Sequence, residues 1–305
     1  MLGANVFTER YIYLPSVGMA WLAGLLASRL WRRTEARPAE RRALLVASIV
    51  LAGLFAARIM TRNRDWNNDI TLYTQTLALS PDADVILDNL ALAYRHQGAE
   101  EKAETAWRRV LTLHPNDPPA LNNLGLLALQ RHQYAEAVEF FQRVIAADPT
   151  VMNPHLNLGL TYVEMGLAAQ AESELRAAVA LSPLSIQPHN RLGRLLVNQG
   201  RLDEAEEQFR ACIRLAPSPE TYDFLGMINI RRRAWEEAVR AFQAALSLDA
   251  ADYNAHFGLG YIYKATGRMT EALSQYQAGL VSNPTDAPAL AEVQKLRQQS
   301  AGAPP

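Results

Sequence analysis

The chain has 305 residues, a formal charge of −1 and one cysteine, Cys212. The near-neutral balance excludes a global electrostatic pull toward nucleic acid or an anionic surface, so any charged partner must be read by a local patch. A lone cysteine excludes an intramolecular disulfide and a cysteine-rich zinc site.

Residues 1–66 are expected to form a transmembrane helical hairpin. From Tyr11 to Ser28 the chain is uncharged and mostly apolar, and with a snorkelling Arg29 this run approaches the roughly 30 Å of a hydrocarbon core. Ala43 to Ala57 is shorter and reaches spanning length when Arg58, Ile59 and Met60 are included. The expected spans are therefore about 11–30 and 43–60. Arg32, Arg33, Arg37, Arg41 and Arg42 lie between them, as in a short cytoplasmic loop, which puts both outer flanks and all that follows on the extracytoplasmic, periplasmic side. Tyr11, Tyr13, Trp31 and Trp66 fall near the expected interfaces.

A connecting helix is expected over 67–83, starting at Asp69 and ended by Pro81. Beyond it Pro81, Pro115, Pro149, Pro183 and Pro217 recur every 34 residues; Ala250 takes the next place after a one-residue deletion and Pro284 follows 34 later. With this residue as position 32, position 8 carries Ala91, Gly125, Gly159, Gly193, Gly226 and Gly260. Position 20 is always alanine and position 7 always leucine. Small residues at 8 and 20 let helix A and helix B of one hairpin approach. The leucines, with Trp107, Phe141, Leu175, Phe209, Phe242 and Tyr276 at position 24, fill the space around them. Gly98, Gly166, Gly200 and Gly267 stand where helix A should stop, as a left-handed terminal residue requires. A period of 34 residues with this pattern identifies tetratricopeptide (TPR) repeats. The expected fold is an all-α TPR solenoid of six helical hairpins over 84–284, with the N-terminal membrane hairpin in front. Asp286 and Pro288 should start a capping helix over 285–300 that buries Leu290, Val293 and Leu296, and residues 301–305 should be a disordered tail.

Nothing in the sequence resembles a P-loop, a nucleophile elbow, an H-E-x-x-H or a C-x-x-C motif, so no catalytic residue, no metal ligand and no cofactor is assigned. Gly258 and Gly260 follow from repeat register. His155, His189 and His256 share position 4, where packing and hairpin hydrogen bonds explain them better than metal binding. Cys212 stands where Ala178 and Ala245 stand in sister repeats and should be a small buried hydrophobe.

The functional signal is position 6 of helix A, which carries Asn89, Asn123 and Asn157 in three successive repeats. Facing a concave groove, one amide per repeat offers donors and an acceptor to the backbone of an extended peptide. Asn122 and Asn190 at position 5 add to this candidate peptide-binding set, and Arg194 beside Arg191 supplies a basic spot for a carboxylate or phosphate. Arg191, Phe224 and Gly258 interrupt the ladder at position 6.

Two resemblances extend this reading. Asn89, Asn123 and Asn157 match the asparagine position of the TPR domain in the O-linked N-acetylglucosamine transferases, which implies peptide or protein binding; the enzymatic activity of that family is not expected to carry over to these repeats. The run Phe7-Thr8-Glu9-Arg10-Tyr11-Ile12-Tyr13-Leu14-Pro15-Ser16, with Arg62-Asn63-Arg64-Asp65-Trp66, resembles the TPR-bearing transmembrane O-mannosyltransferases, whose repeats follow their membrane part on the lumenal or extracytoplasmic side. This chain lacks the many spans and the acidic catalytic loop of that family. The expectation is a membrane-anchored scaffold that binds a protein or peptide segment, its other partner being the lipid bilayer. The alternative is an acceptor-recruiting part of a membrane protein O-glycosyltransferase, with that enzyme or its acceptor as partner. A third is an assembly factor for an envelope complex.

Overall fold

The computed structural model of the chain describes residues 28–29, 39, 42–43, 45–54 and 68–301. It divides into two compact units, Met1–His96 and Gln97–Pro305. All regular elements among the described residues are helices.

The first unit contains α1 (Asp69–Leu79) and α2 (Asp84–His96), which pack on each other. Asn68 caps α1, its side-chain oxygen accepting from the Ile70 amide at 2.9 Å. Most of the expected membrane hairpin lies outside the described residues, and among those described no helix is long and apolar enough to cross a membrane. The hairpin is therefore no part of the fold described here. Residues 45–54 are helical, and every one of them is exposed.

The second unit starts with α3 (Glu100–Leu113), continues through five hairpins and ends in a single helix. The hairpins are α4 (Pro118–Gln130) with α5 (Tyr134–Ala147), α6 (Met152–Glu164) with α7 (Ala168–Leu181), α8 (Ile186–Asn198) with α9 (Leu202–Leu215), α10 (Pro219–Arg231) with α11 (Trp235–Leu248), and α12 (Tyr253–Ala265) with α13 (Met269–Ser282). The last helix is α14 (Ala287–Ala301). Even-numbered helices α2 to α12 are the A helices of the repeats and odd-numbered α3 to α13 the B helices. Within the second unit, from α4 to α13, each A helix packs on the B helix of its hairpin and each B helix on the helix that follows it, the arrangement of a TPR solenoid, in which stability comes from stacking neighbours.

Side-chain size accounts for the close approach. Positions 20 and 24 are buried in every repeat. A Cβ added to Gly125 would lie 2.7 Å from the Phe141 ring, and one added to Gly226 would lie 2.5 Å from the Phe242 ring, so helix A touches the position-24 side chain with its bare backbone. Position 7 is buried in five repeats; Leu225 is half-buried, against the cluster that holds Phe209 and Ile228.

The A helices of the second unit end alike. The amides of Gln133, Leu167, Arg201, Ala234 and Arg268 donate to carbonyls five residues back, at 2.7 to 2.9 Å, the mark of a Schellman motif that requires a left-handed residue just before. Gly166, Gly200 and Gly267 supply it with φ of 73°, 76° and 79°. In the two repeats that have no glycine there, His132 and Arg233 adopt φ of 59° instead. An L-residue in that region costs about 1–2 kcal/mol, partly offset by the entropy that glycine loses on folding. Replacing exposed Arg233 by glycine is therefore expected to raise the stability of the chain by about 0.5–1 kcal/mol, read as a higher denaturant midpoint with an unchanged slope; a lower midpoint would refute the strain.

The capping helix corrects one expectation. Asp286 caps it, Oδ1 accepting from the Ala289 amide at 2.8 Å. The residues that pack on Ala272 and Tyr276 are Ala289, Val293 and Leu296, while Leu290 is 42% exposed. Spacings of four and three keep 289, 293 and 296 on one stripe of a 3.6-residue helix, whereas 290, 293 and 296 drift around it. α14 reaches Ala301; residues 302–305 lie outside those described.

Candidate functional site

Packing between A and B helices consumes positions 4, 7 and 8. His155, His189 and His256 are part of it: Nδ1 of each meets Glu174, Gln208 or Gln275 on the partner helix at 2.7, 2.8 and 2.8 Å, and Nε2 meets the carbonyl of Pro149, Pro183 or Ala250. Each imidazole thus ties helix A to helix B and to the preceding turn. Cys212 is fully buried, and burial pushes its thiol up to about 11. It fills space.

Positions 2, 5, 6 and 9 remain on the face of the A helices. Of the six candidate peptide-binding residues, Asn89 is half-buried on α2 in the first unit, and Asn122, Asn123, Asn157 and Asn190 are half-buried on α4, α6 and α8 in the second. Asn157 Nδ2 donates to Asn122 Oδ1 at 3.1 Å, so positions 5 and 6 of neighbouring repeats meet. That contact uses one acceptor and one donor hydrogen, and leaves both amides with further capacity.

Arg194 lies at a second feature of the same face. Its guanidinium stands 5.5 Å above the centre of the Phe224 ring and 4.0 Å from Glu220. Together with Asp223, Phe224, Phe257 and Gly258 these residues line a cavity of about 390 Å³ between α8, α10 and α12, with Phe242 of α11 also reaching it. Phe224 stacks on Phe209, ring centres 4.7 Å apart and 6° from parallel. Gly258 has no side chain because Phe242 occupies the space: a Cβ there would lie 2.4 Å from the ring. The gap in the asparagine ladder at Gly258 is thus filled by the Phe242 ring, which forms part of the cavity wall.

Asp223 was not legible as a site residue. It is 6% exposed, and its Oδ1 has no hydrogen-bond partner among the described residues. Burial, then the charge of Asp252, raises its carboxyl to about 8, Glu220 adding to the effect and Asn254 opposing it. The one available signal was an aspartate at position 5, where Asn122 and Asn190 stand in other repeats.

A second feature invisible in the sequence is a run of ion pairs between successive repeats. Arg131 reaches back to Glu104 at 2.6 Å, Arg201 to Glu172 at 2.6 Å and Arg232 to Asp203 and Glu206, while Lys264 reaches forward to Glu292 of α14. Exposed pairs of this type contribute little stability; these link the first repeat to the second, the third to the fourth, the fourth to the fifth and the sixth to the capping helix.

Comparison with known proteins agrees with this architecture. Tetratricopeptide repeat models match residues 82–150, 156–218 and 225–287, and the chain belongs to the tetratricopeptide repeat family. It is 35% identical over 103 residues to the protein O-mannosyl-transferase Tmtc1 of Drosophila melanogaster, covering 34% of this chain and 12% of that protein. Over 99 residues it is 33% identical to Tmtc2 of the same organism, covering 32% and 10%. The match spans about a tenth of the length of these relatives. Among solved structures, the C-terminal part of a TPR repeat-containing protein from Cytophaga hutchinsonii superimposes with a TM-score of 0.62 at 15% identity, covering 78% of this chain and 98% of that one. PilF of Pseudomonas aeruginosa gives 0.59 at 18% identity, covering 72% and 98%. The Cut9–Hcn1 assembly of APC/C gives 0.57 at 16%, covering 89% and 52%. These likenesses concern the fold.

Proposed function

We propose that the chain is a TPR scaffold that binds an extended protein segment on the face of its A helices, and that residues 1–66 tether it to a membrane with the repeats on the extracytoplasmic side. The observation that carries the binding reading is the cavity between α8, α10 and α12. It combines accessible aromatic rings with a buried carboxyl oxygen that no described residue hydrogen-bonds, and buried polar groups without partners are rare enough to demand a reason. The amides of Asn122, Asn123 and Asn157 extend the polar surface along the same set of helices.

The tether is supported by residues 45–54. Leu45, Val46, Ile49, Val50, Leu51 and Leu54 are all exposed on helical backbone, and a helix apolar on every side needs an apolar surround. Thiol-reagent labelling of cysteines placed in the repeat loops, in intact cells, tests the topology: labelling by an impermeant reagent agrees with an extracytoplasmic array, protection contradicts it.

Binding is tested by selecting peptides on the full chain and replacing Asn123 and Asn157 together by alanine. If both amides hold the peptide backbone, at about 1 kcal/mol per hydrogen bond, affinity falls roughly ten- to thirty-fold. Unchanged affinity would remove the asparagines from the binding surface.

A second reading is favoured by the similarity to Tmtc1 and Tmtc2: the array recruits acceptor proteins for a membrane O-mannosyltransferase. Deleting the gene and assaying mannose transfer to membrane proteins separates the two. Loss of transfer supports this reading, and unchanged transfer leaves the scaffold.

A further inference from the structure

The cavity at the fourth to sixth repeats gathers acidic groups. Two of its lining residues, Glu220 and Asp223, are acidic, and Asp252 acts on Asp223 from the start of α12. Asp252 is committed there, Oδ1 accepting from the amides of Asn254 at 2.9 Å and Ala255 at 3.3 Å as the helix cap. The cationic member, Arg194, is held toward Glu220 and over Phe224. The Asn254 side chain hydrogen-bonds the Asp223 carboxyl, but Oδ1 of that carboxyl is buried and has no hydrogen-bond partner among the described residues, beside the open cavity that Asp223 helps to line.

Resting on the peptide-binding reading above, we infer that this cavity is a specificity pocket for a lysine side chain of the bound segment, with Asp223 as its counter-charge. An ammonium brings the missing donor and the missing positive charge together, and the Asp223 carboxyl releases its proton to solvent as the pair forms. Phe224, Phe257 and Met227 line the same space and give the four-carbon stem an apolar wall, while ring faces favour the charged end. One unsatisfied oxygen suits the point charge of lysine, whereas the planar fork of arginine calls for two. A carboxylate ligand would have to approach Arg194 past Glu220, against repulsion.

The test selects binders from a displayed library of random peptides on the full chain and measures them on the wild type, on Asp223→Asn and on Arg194→Ala. Lysine is expected at one position of the selected peptides. Its replacement by norleucine should weaken wild-type binding at least about ten-fold, a 1.4 kcal/mol change, while Asp223→Asn binds the lysine and norleucine peptides alike. Peptides that lose affinity on replacing Asn123 and Asn157 but are indifferent to lysine would overturn the pocket and leave the binding face standing. Enrichment of acidic residues that depends on Arg194 would overturn it in favour of a carboxylate site. Failure to select any peptide would remove both the pocket and the face.

Discussion

Replacing Asp223 by asparagine is expected to stabilise the protein at and above neutral pH, by about 2–3 kcal/mol at pH 8. The carboxyl is raised from 3.8 to about 8 in the folded chain, by burial first and then by Asp252. A folded-state value above the unfolded one means that the native state holds the proton more tightly. Stability is therefore full below about pH 4, falls as pH rises between the two values, and is flat above about 8. A difference of about four powers of ten in proton affinity sets a ceiling of roughly 5–6 kcal/mol, which relaxation around the ionised group reduces to the expected gain. Asparagine has the shape of the protonated acid and never ionises. The variant and the wild type should have similar melting temperatures at pH 4 and separate progressively toward pH 8. Parallel profiles, or a less stable variant at pH 8, would show that the carboxyl is satisfied. A residue that lowers the stability of its own protein is the kind that function retains, and stabilisation of the fold with loss of lysine discrimination would be the joint signature.

The substitution Gly258→Asn, which would return asparagine to position 6 in the last repeat, is expected to destabilise the chain by about 3 kcal/mol. A Cβ on Gly258 would lie 2.4 Å from Phe242 Cζ, and one on Gly226 would lie 2.5 Å from the same atom. The ring is held between two bare stretches of backbone, α10 on one side and α12 on the other, so it cannot move away from the new side chain without meeting Gly226. The propensity gain from removing a helical glycine is below about 1 kcal/mol and does not offset the clash. Denaturant midpoints measure the effect. A second variant, Gly258→Asn with Phe242→Leu, should recover part of the loss if the ring is the obstacle. A single substitution within about 0.5 kcal/mol of wild type would mean that the two helices yield.

Much of this architecture was legible because one packing environment recurs. The bare position-8 backbone, the alanine at position 20 and the large side chain at position 24 answer the same contact each time, so period and residue size together read as hairpins. What resisted reading is what differs between repeats. Gly258 looked like a gap in a polar ladder, and its cause is Phe242, a side chain 16 positions earlier on another helix. Asp223 looked like a polar variant of a position that holds asparagine, since burial and the nearness of Asp252 belong to the stacked array. Arg201 and Glu172 are 29 residues apart and Arg131 and Glu104 27, spacings that carry no meaning until hairpins are stacked. His132 and Arg233 break the glycine rule because the Schellman turn sets the backbone and the residue follows. Leu290 was misplaced by assuming a spacing of three where the stripe runs four and three. The apolar runs before residue 67 fall largely on residues outside those described, and the arginine bias there stands as sequence evidence alone.

The ring of Phe242 belongs at once to the core of the fifth repeat and to the wall of the cavity. In a stack whose cooperativity passes from neighbour to neighbour, the end repeats open first. An occupant that touches α8, α10 and α12 spans three repeats, and must leave before α12 to α14 can peel away. Occupancy would then act as a latch on the C-terminal end, so that protection of α12 and α13 from hydrogen exchange rises with ligand concentration, reporting binding from amides that never meet the ligand.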